Sequence, residues 1–424
     1  MAHVVPHADG GRQADRPPWR VADVLAPHAQ ALLAERGLGP EQRRAIRDIL
    51  RCRTPALGGF AYVCDHCGAV YAAYNACRNR NCPSCQSLAQ RAWIERRMVR
   101  VLPTVHYHVV FTLPAELRPI ARFNRPLIYA ELLRAAAQTL IAFGHDRRHI
   151  GGLIGVTTVL HTWTRDLRYH PHAHCVVTAG GLAPDGTRWM RPRSEHPRQG
   201  RKRRPFLFPV KALGMVFRAK VLDALKRAHQ RGRLLFGRDQ RHLADPVAFR
   251  LFLEPLARKP WVVYAKKPFG GPQQVFEYLG RYTHRVAISD GRILDLTDHH
   301  VTFRTKGEDT ATLEPLAFAR RFLQHVIPRG FTKIRHFGIY ASAHVGKRLE
   351  HARQLLEPDA PPRAPTPVSD LTDALLALIG LGPQRCPDCG LGTLRRAYAI
   401  APLSGRRPTP TLPQGRAPPP RTTP

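Results

Sequence analysis

The chain has 424 residues, which is enough to bury a large core and to form two or three domains. Its 66 lysine and arginine residues outnumber 31 aspartate and glutamate residues, and the formal net charge of +35 is spread along the whole chain. This excess predicts a nucleic-acid partner. We find no apolar run of about 18 residues, no lipidation signal and no signal peptide. We therefore expect a cytoplasmic, nucleoid-associated protein without a membrane partner.

The pattern of apolar residues predicts an α+β fold, in which helices pack on a sheet. Helical spacing appears within residues 21–52, and a basic helix is predicted at 87–100. Asn124 is a plausible N-cap of a long helix that has Pro126 in its first turn. Further strands are predicted at 104–113, 152–163, 173–179 and 260–266, a hairpin at 292–306, and helices at 124–144, 208–229, 272–285 and 313–327.

Two segments lie outside this pattern. Residues 191–205 form a basic loop without apolar periodicity, and within it Arg201, Lys202, Arg203 and Arg204 are candidates for contacts with DNA. The last ~65 residues are rich in proline and arginine, so much of this tail is predicted to be disordered.

Two CxxC pairs stand 14 residues apart, Cys64 with Cys67 and Cys82 with Cys85. A CxxC turn sets two thiolates at the spacing that a tetrahedral zinc ion requires, and two such turns across a short hairpin form a zinc ribbon. The four cysteines therefore predict a structural zinc site. Cys52 and Cys77 are rival ligands, and the choice of four from six stays open.

A third pair, Cys386 and Cys389, resembles half of another metal site. No second pair lies near it in the sequence. A redox pair and a half-site completed elsewhere in the chain are both compatible with this spacing.

Histidines recur at every second position in YHPHAHCVV, residues 169–177. Residues two apart on a strand point to the same face, so His172 and His174 can bind one metal ion. His170 would join them only if the strand continued through Pro171, which prolines usually prevent. His106 and His108 form a near copy of this pair, and spacing alone does not decide between the two.

Tyr278 and Tyr282 are four residues apart in EYLGRYTHR, so on a helix they share a face. Two core aromatic residues would give the same pattern. Arg281 and Arg285 have the same helical spacing and could hold phosphate oxygens, and the preceding GGP leaves N–H groups that could bind an anion.

Taken together, these motifs resemble the rolling-circle transposases of bacterial insertion sequences, a two-tyrosine group of HUH endonucleases, and most closely the insertion sequence 91 family. The resemblance covers roughly residues 20–345, and its motifs occur in the expected order. Ala173 departs from it, because a larger hydrophobic residue usually separates the two histidines. The segments that carry it are CRTPALGG (52–59) with the cysteine block, HPHAHCVV (170–177), EYLGRYTHRVAIS (277–289) and RRFLQHVIPRGFTKIRHFG (320–338).

The resemblance implies an antiparallel HUH-type sheet with packed helices, preceded by a small helical zinc-binding domain. It assigns residues 21–100 to the zinc-binding domain and 101–345 to the catalytic domain. The composition predicts a disordered N-terminus at 1–20 and a Pro/Arg-rich tail with the CPDC half-site at 346–424. It implies that Tyr278 and Tyr282 are nucleophiles and that His172 and His174 hold a catalytic Mg²⁺ or Mn²⁺. The implied partners are single-stranded DNA at element ends and target DNA; an oligomer is compatible with this function.

A third protein ligand is expected for the catalytic ion, and Gln274, Glu277, His284 and His108 are candidates. Two other functions stay open. A metal-free tyrosine recombinase would use an arginine and histidine cage, for which residues 145–148 (HDRR) are the candidate segment. A non-catalytic zinc-ribbon regulator would bind DNA without cutting it.

Overall fold

A computed structural model describes residues 5–6, 18–85, 100–193, 207–266, 274, 287–343, 345–359 and 385–403. The chain divides into two compact units. The first contains Met1–Ala89, Ser289–Ala319 and Thr366–Pro424, and the second contains Gln90–Ile288 and Arg320–Pro365. Two segments that are distant in the sequence thus belong to the same unit as the N-terminal residues.

The first unit contains three helices, α1 (Val21–Leu25), α2 (Ala29–Ala34) and α3 (Pro40–Arg51), in the segment where apolar spacing predicts them. A four-stranded sheet has the order β1 (Val5–Pro6), β3 (Val70–Tyr74), β2 (Gly59–Cys64) and β13 (Leu394–Ile400). Strands β2 and β3 form a hairpin, and β13 runs antiparallel to β2. The C-terminal segment is therefore a strand of this sheet, whereas its composition predicted disorder for much of the tail.

A second sheet of three strands belongs to the same unit. It consists of β9 (Ile293–Leu296), β10 (Val301–Arg304) and β11 (Thr310–Leu313), which confirms the predicted hairpin. Just before β9, the buried carboxylate of Asp290 accepts hydrogen bonds from the Val21 N–H and the Ser84 hydroxyl. These bonds connect Asp290 to residues of the N-terminal segment, and burial raises the pKa of its carboxyl group.

The second unit is built on an antiparallel sheet of six strands. Its strands are β4 (His106–Thr112), β5 (Leu153–Trp163), β6 (Tyr169–Leu182), β7 (Trp189–Met190), β8 (Val263–Ala265) and β12 (Ile334–Gly338). The main order is β12–β5–β6–β4–β8, and β7 pairs with the end of β6. The fold is thus α+β with an antiparallel sheet, as predicted.

Helices pack on one face of this sheet. The two longest described ones, Arg125–His145 and Val210–Gln230, match predicted segments, whereas the helix Pro246–Arg258 was not predicted. Phe111 of β4 meets Phe217 with ring centroids 4.9 Å apart. Burying a side chain of this size contributes about 1.5–3 kcal/mol. The remaining helices in the described part of the chain are α4 (Arg118–Phe123), α5 (Arg125–His145), α6 (Val210–Gln230), α7 (Pro246–Arg258), α8 (Pro315–Leu323) and α9 (Val345–Leu356).

Within the described residues, α5 is the one helix that is long and apolar enough to cross a membrane. However, 56% of its most apolar 18-residue stretch is buried inside the protein. It therefore has the properties of a core helix. Asn124 occupies its N-cap position, as predicted, but the side chain makes no cap hydrogen bond. The amide instead exchanges two hydrogen bonds with the backbone of Leu235, which fastens a distant loop to the start of the helix.

The two faces of the sheet differ in chemistry because side chains alternate along each strand. On β4, Tyr107, Val109 and Phe111 join the apolar core under the helices. His106 and His108 alternate with them and point to the opposite face. The same alternation on β5 and β6 places further histidines on that second, polar face.

Candidate active site

Three histidines converge on the polar face of the sheet: His161, His172 and His174. One ligand nitrogen from each lies within 4.8 Å of those of the other two. His161 is on β5 directly opposite His172 on β6, and Val159 is opposite His174. Cross-strand partners share a face of the sheet, so register brings the third imidazole to the predicted pair. His161 is a site residue that sequence reasoning missed.

The tautomer of His172 is set by its backbone. Its Nδ1–H donates to the carbonyl oxygen of His170, at 2.6 Å. A neutral imidazole that donates from Nδ1 carries its lone pair on Nε2. This is the arrangement in which a histidine that binds a metal is usually held.

His108 supports the cluster from the other neighbouring strand. Its Nε2 lies 2.8 Å from Nδ1 of His174, and the two rings are parallel to within 2°. A hydrogen bond at Nδ1 leaves Nε2 of His174 as the nitrogen that faces the cluster. The sequence makes His108 a candidate for the third metal ligand, but the structure places it against His174, outside the group of three.

Burial keeps these imidazoles neutral. It lowers the pKa of His172 to about 4 and the pKa of His108 to about 3. It also lowers the pKa of His174 well below its ordinary value, and nearby His161 and His172 act in the same direction. Metal binding requires the neutral form of histidine, so His172 and His174 are in their ligand form at neutral pH.

His170 stays outside the cluster although β6 does continue through Pro171. The expectation that the strand would stop there was wrong, because the proline lies at a bulge. His161 pairs with His172 and Trp163 with Tyr169, so two residues of β6 oppose one of β5. Nη2 of Arg118 donates to Nδ1 of His170 at 2.8 Å and holds the ring there.

Cysteines form two further clusters in the first unit. One contains Cys52, Cys77, Cys82 and Cys85, and the other contains Cys64, Cys67, Cys386 and Cys389. In each, the four Sγ atoms lie within 4.8 Å of one another. In the first cluster Cys77 and Cys85 are 3.7 Å apart. Two sulfur atoms bonded at 2.3 Å to one tetrahedral zinc ion are about 3.8 Å apart, so this cluster fits zinc.

Comparison with known proteins adds the family. A family model described as "Transposase zinc-binding domain" matches residues 24–113, and one described as "Putative transposase" matches residues 155–348. "Putative transposase y4qJ" of Sinorhizobium fredii (strain NBRC 101917 / NGR234) is 42% identical over 382 residues, which cover 88% of this chain and 94% of that protein. The chain is a transposase of the insertion sequence 91 family.

A more distant relative agrees with this assignment. "Transposase for insertion sequence element IS801" of Pseudomonas savastanoi pv. phaseolicola is 31% identical over 382 residues, or 88% of this chain and 87% of its own. No solved structure matches the transposase. The family makes it an enzyme that acts on DNA by cleavage and strand transfer, with a zinc-binding domain near its N-terminus.

The structure corrects the predicted grouping of the cysteines. Cys64 and Cys67 lie in one cluster, and Cys82 and Cys85 in the other. The hairpin of β2 and β3 explains this separation. Cys64 is at the tip of the hairpin. Cys77 comes just after β3 has returned to the base, where the Cys77 N–H donates to Sγ of Cys52 at 3.5 Å. At about 3.3 Å per residue, tip and base are about 17 Å apart.

Several predicted residues of the transposase lie outside the described part of the chain. The third-ligand candidates Glu277 and His284 are among them, and within 272–285 only Gln274 is described, where it is exposed. The remaining ones are the two predicted nucleophiles and the predicted DNA-binding residues: Tyr278, Tyr282, Arg281, Arg285, Arg201, Lys202, Arg203 and Arg204.

Proposed function

We propose that the transposase nicks and rejoins single-stranded DNA at the ends of its insertion element, in rolling-circle transposition through a 5′-phosphotyrosine. The observation that carries the proposal is the group of three imidazoles on the polar face of an antiparallel sheet. Three imidazoles in this arrangement could hold a divalent metal ion, and the chain belongs to a family of DNA strand-transfer enzymes. The single strand is inferred because one such site cuts one strand at a time.

His161, His172 and His174 would hold the catalytic ion through their nitrogens, with water and phosphate oxygens as further ligands. When bound, the ion polarises the scissile phosphate and balances its charge. The family resemblance implies Mg²⁺ or Mn²⁺. Three imidazoles favour Mn²⁺, because Mg²⁺ prefers oxygen ligands. Zinc is assigned a structural role, on the cluster of Cys52, Cys77, Cys82 and Cys85.

Tyr278 or Tyr282 would act as the nucleophile. The phenol oxygen forms a bond to phosphorus, the bond from phosphorus to the 3′ oxygen breaks, and the phenol proton is balanced by one taken up at the new 3′ hydroxyl. The phosphotyrosine keeps the energy of the broken bond, so rejoining needs no ATP. The second tyrosine allows a second cleavage or transfer to target DNA.

The net charge of +35 supports a DNA substrate, since contacts with phosphate groups depend on lysine and arginine. The residues proposed to contact DNA are Arg281 and Arg285, which are near the two tyrosines in the sequence, and Arg201, Lys202, Arg203 and Arg204 of the predicted basic loop. A protein with these partners would act in the bacterial cytoplasm, at the nucleoid.

A metal-free tyrosine recombinase is less consistent with the described residues. Its candidate cage at residues 145–148 lies at the end of α5 and the following turn. Arg148 is bound to Asp146 at 2.7 Å, and its side chain is 86% exposed. Arg148 therefore belongs to an ion pair at the surface of the protein. The histidine cluster is not next to it, because it lies on the polar face of the sheet.

Replacing both Tyr278 and Tyr282 with phenylalanine should remove cleavage while DNA binding persists. The test incubates the protein with labelled single-stranded DNA from the element's end and Mn²⁺ or Mg²⁺. The unsubstituted protein should form a protein–DNA adduct that survives boiling in detergent. The double variant should form at least about 10³-fold less, because no phenol remains to attack phosphorus.

Tyr264→Phe is the matched control for that experiment. Tyr264 lies on β8 of the sheet that carries the three histidines, is 56% exposed, and is not proposed to react. Its variant should form the adduct at the normal rate. Undiminished adduct in the double variant would assign the nucleophile elsewhere. A protein that binds the DNA but never forms an adduct would be the non-catalytic regulator.

His108→Phe should weaken the binding of Mn²⁺ by about 10- to 100-fold, since outer hydrogen bonds orient metal-binding histidines. Phenylalanine keeps the ring but cannot bond to Nδ1 of His174. Cleavage should then need more Mn²⁺ and approach the normal rate at saturation. Calorimetric titration and the dependence of cleavage on Mn²⁺ concentration measure both effects.

His106→Phe controls for the loss of a buried imidazole on the same strand. The ring of His106 binds the Thr104 carbonyl oxygen and the Tyr340 hydroxyl, not the cluster. Thermal melting of both variants compares their stability. Equal Mn²⁺ affinity in both variants would show that His108 does not position His174.

A further inference from the structure

The C-terminal cysteine pair, Cys386 and Cys389, lies next to Cys64 and Cys67, which are more than 300 residues earlier in the sequence. Sγ of Cys64 is 3.8 Å from Sγ of Cys389, and Sγ of Cys67 is 3.6 Å from Sγ of Cys386. All four thiols are free of disulfide bonds. These distances match the separation of about 3.8 Å between sulfur ligands of one tetrahedral zinc ion.

The two halves of this cluster have the same local structure. Each has the sequence Cys-x-x-Cys-Gly, and the glycines, Gly68 and Gly390, have positive φ angles of 71° and 67°. In each half the N–H of that glycine donates to the carbonyl oxygen of the first cysteine. Such paired turns are the zinc knuckles of a ribbon, in which a left-handed residue turns the chain around the metal.

Backbone N–H groups point at the sulfur atoms. Sγ of Cys64 accepts from the N–H of His66 at 3.4 Å, and Sγ of Cys389 accepts from the N–H of Gly392 at 3.4 Å. Hydrogen bonds of this kind stabilise the thiolate form, which is the form that binds metal. The site thus has ligands, spacing and supporting donors from both ends of the chain.

The surrounding sheet holds the two knuckles together. β13 pairs with β2 from Leu394 opposite Cys64 to Ile400 opposite Gly59. Next to the knuckles, Asp65 accepts from the N–H of Thr393 at 2.7 Å and from Nε of Arg395 at 2.9 Å. Strand pairing and these hydrogen bonds therefore hold the four thiols close together.

We propose that Cys64, Cys67, Cys386 and Cys389 form a second structural zinc site, which fastens the C-terminal segment to the N-terminal unit. The matched zinc-binding domain ends at residue 113, so it contains all of the first cluster but only half of this one. The transposase accordingly binds two zinc ions through cysteine. Its C-terminal segment, residues 385–403, completes the second site and contributes one of the two edge strands of the four-stranded sheet.

The zinc content of the full-length protein tests this proposal. The double variant Cys386→Ser/Cys389→Ser should contain one zinc ion per chain fewer than the unsubstituted protein. Cys175→Ala should lose none, because Cys175 is a buried thiol of β6 outside both clusters. Cys389→His should keep the ion, since three cysteines and one histidine also bind zinc. Unchanged zinc content in the serine variant would overturn the proposal.

A second measurement needs no substitution and so does not depend on folding of a variant. Cys67 is exposed, so an unligated thiol there is accessible to iodoacetamide, whereas a thiolate bound to zinc is shielded. Peptide mass spectrometry should find Cys67, Cys386 and Cys389 protected in the native protein and alkylated after zinc is removed by a chelator. Full alkylation of Cys67 before chelation, or disulfides in place of zinc, would contradict the second site.

Discussion

Replacing His172 with alanine is expected to lower the rate of DNA cleavage by about 10²- to 10³-fold, which corresponds to about 3–4 kcal/mol of transition-state stabilisation. The Nδ1–H of His172 donates to the carbonyl oxygen of His170 on its own strand, and this hydrogen bond leaves Nε2 free to bind the metal ion. Removing it leaves two imidazoles and weakens the hold on the catalytic ion. Affinity for Mn²⁺ should fall together with the rate.

Affinity for DNA should not change in this variant. Burial lowers the pKa of His172 to about 4, so the substitution removes a neutral group at pH 7 and leaves the charge of the protein as it was. Because contacts with phosphates dominate DNA affinity, both the binding constant and its salt dependence should be those of the unsubstituted protein. Fluorescence anisotropy with labelled single-stranded DNA measures them.

His170→Ala is the control for the effect of His172→Ala. Both residues are histidines of β6, two positions apart, and their ring centroids are 5.2 Å apart. The ring of His170 is bound by Arg118 outside the cluster, and the carbonyl oxygen that orients His172 survives the substitution. If the two variants cleave equally well, His172 does not serve as a metal ligand.

The histidine site could be predicted in part because its signal is local. His172 and His174 are two residues apart on one strand, and alternation alone places them on one face. His161 is eleven residues earlier on another strand, and only the register between β5 and β6 sets it opposite His172. The register between two strands cannot be deduced from a single sequence. His161 therefore could not be distinguished from the other histidines among the 22 in the chain.

The cysteines show the same limit of local patterns. The CxxC spacing of Cys64 with Cys67 and of Cys82 with Cys85 predicted metal-binding turns, and both pairs do lie in cysteine clusters. Their partners depend on where the hairpin of β2 and β3 turns and on a strand more than 300 residues later. The tail has few apolar residues, and on β13 only Leu394 is buried, so composition predicted disorder where backbone pairing forms a strand.

Cys82→Ser should remove the zinc ion of the first cluster and unfold the N-terminal unit. Cys82 is the most buried of the four thiols, with 1% exposure, and its cluster joins the end of α3 to the base of the hairpin. Structural zinc sites contribute apparent binding free energies of about 10–16 kcal/mol, which exceeds the whole stability of many domains. A substitution that forfeits even half of this leaves the unit without enough core to remain folded.

Calorimetry of the full-length protein can separate this effect from general destabilisation. The Cys82→Ser variant should lose the heat absorption of the first unit, and proteolysis should cut within residues 18–85 while the sheet that carries His172 remains resistant. Cys175→Ala also removes a buried thiol, but one outside the clusters, and it should retain its zinc and both units at a cost of about 1–2 kcal/mol. A Cys82→Ser protein that keeps its full zinc content and its resistance to protease would show that the first cluster does not depend on this ligand.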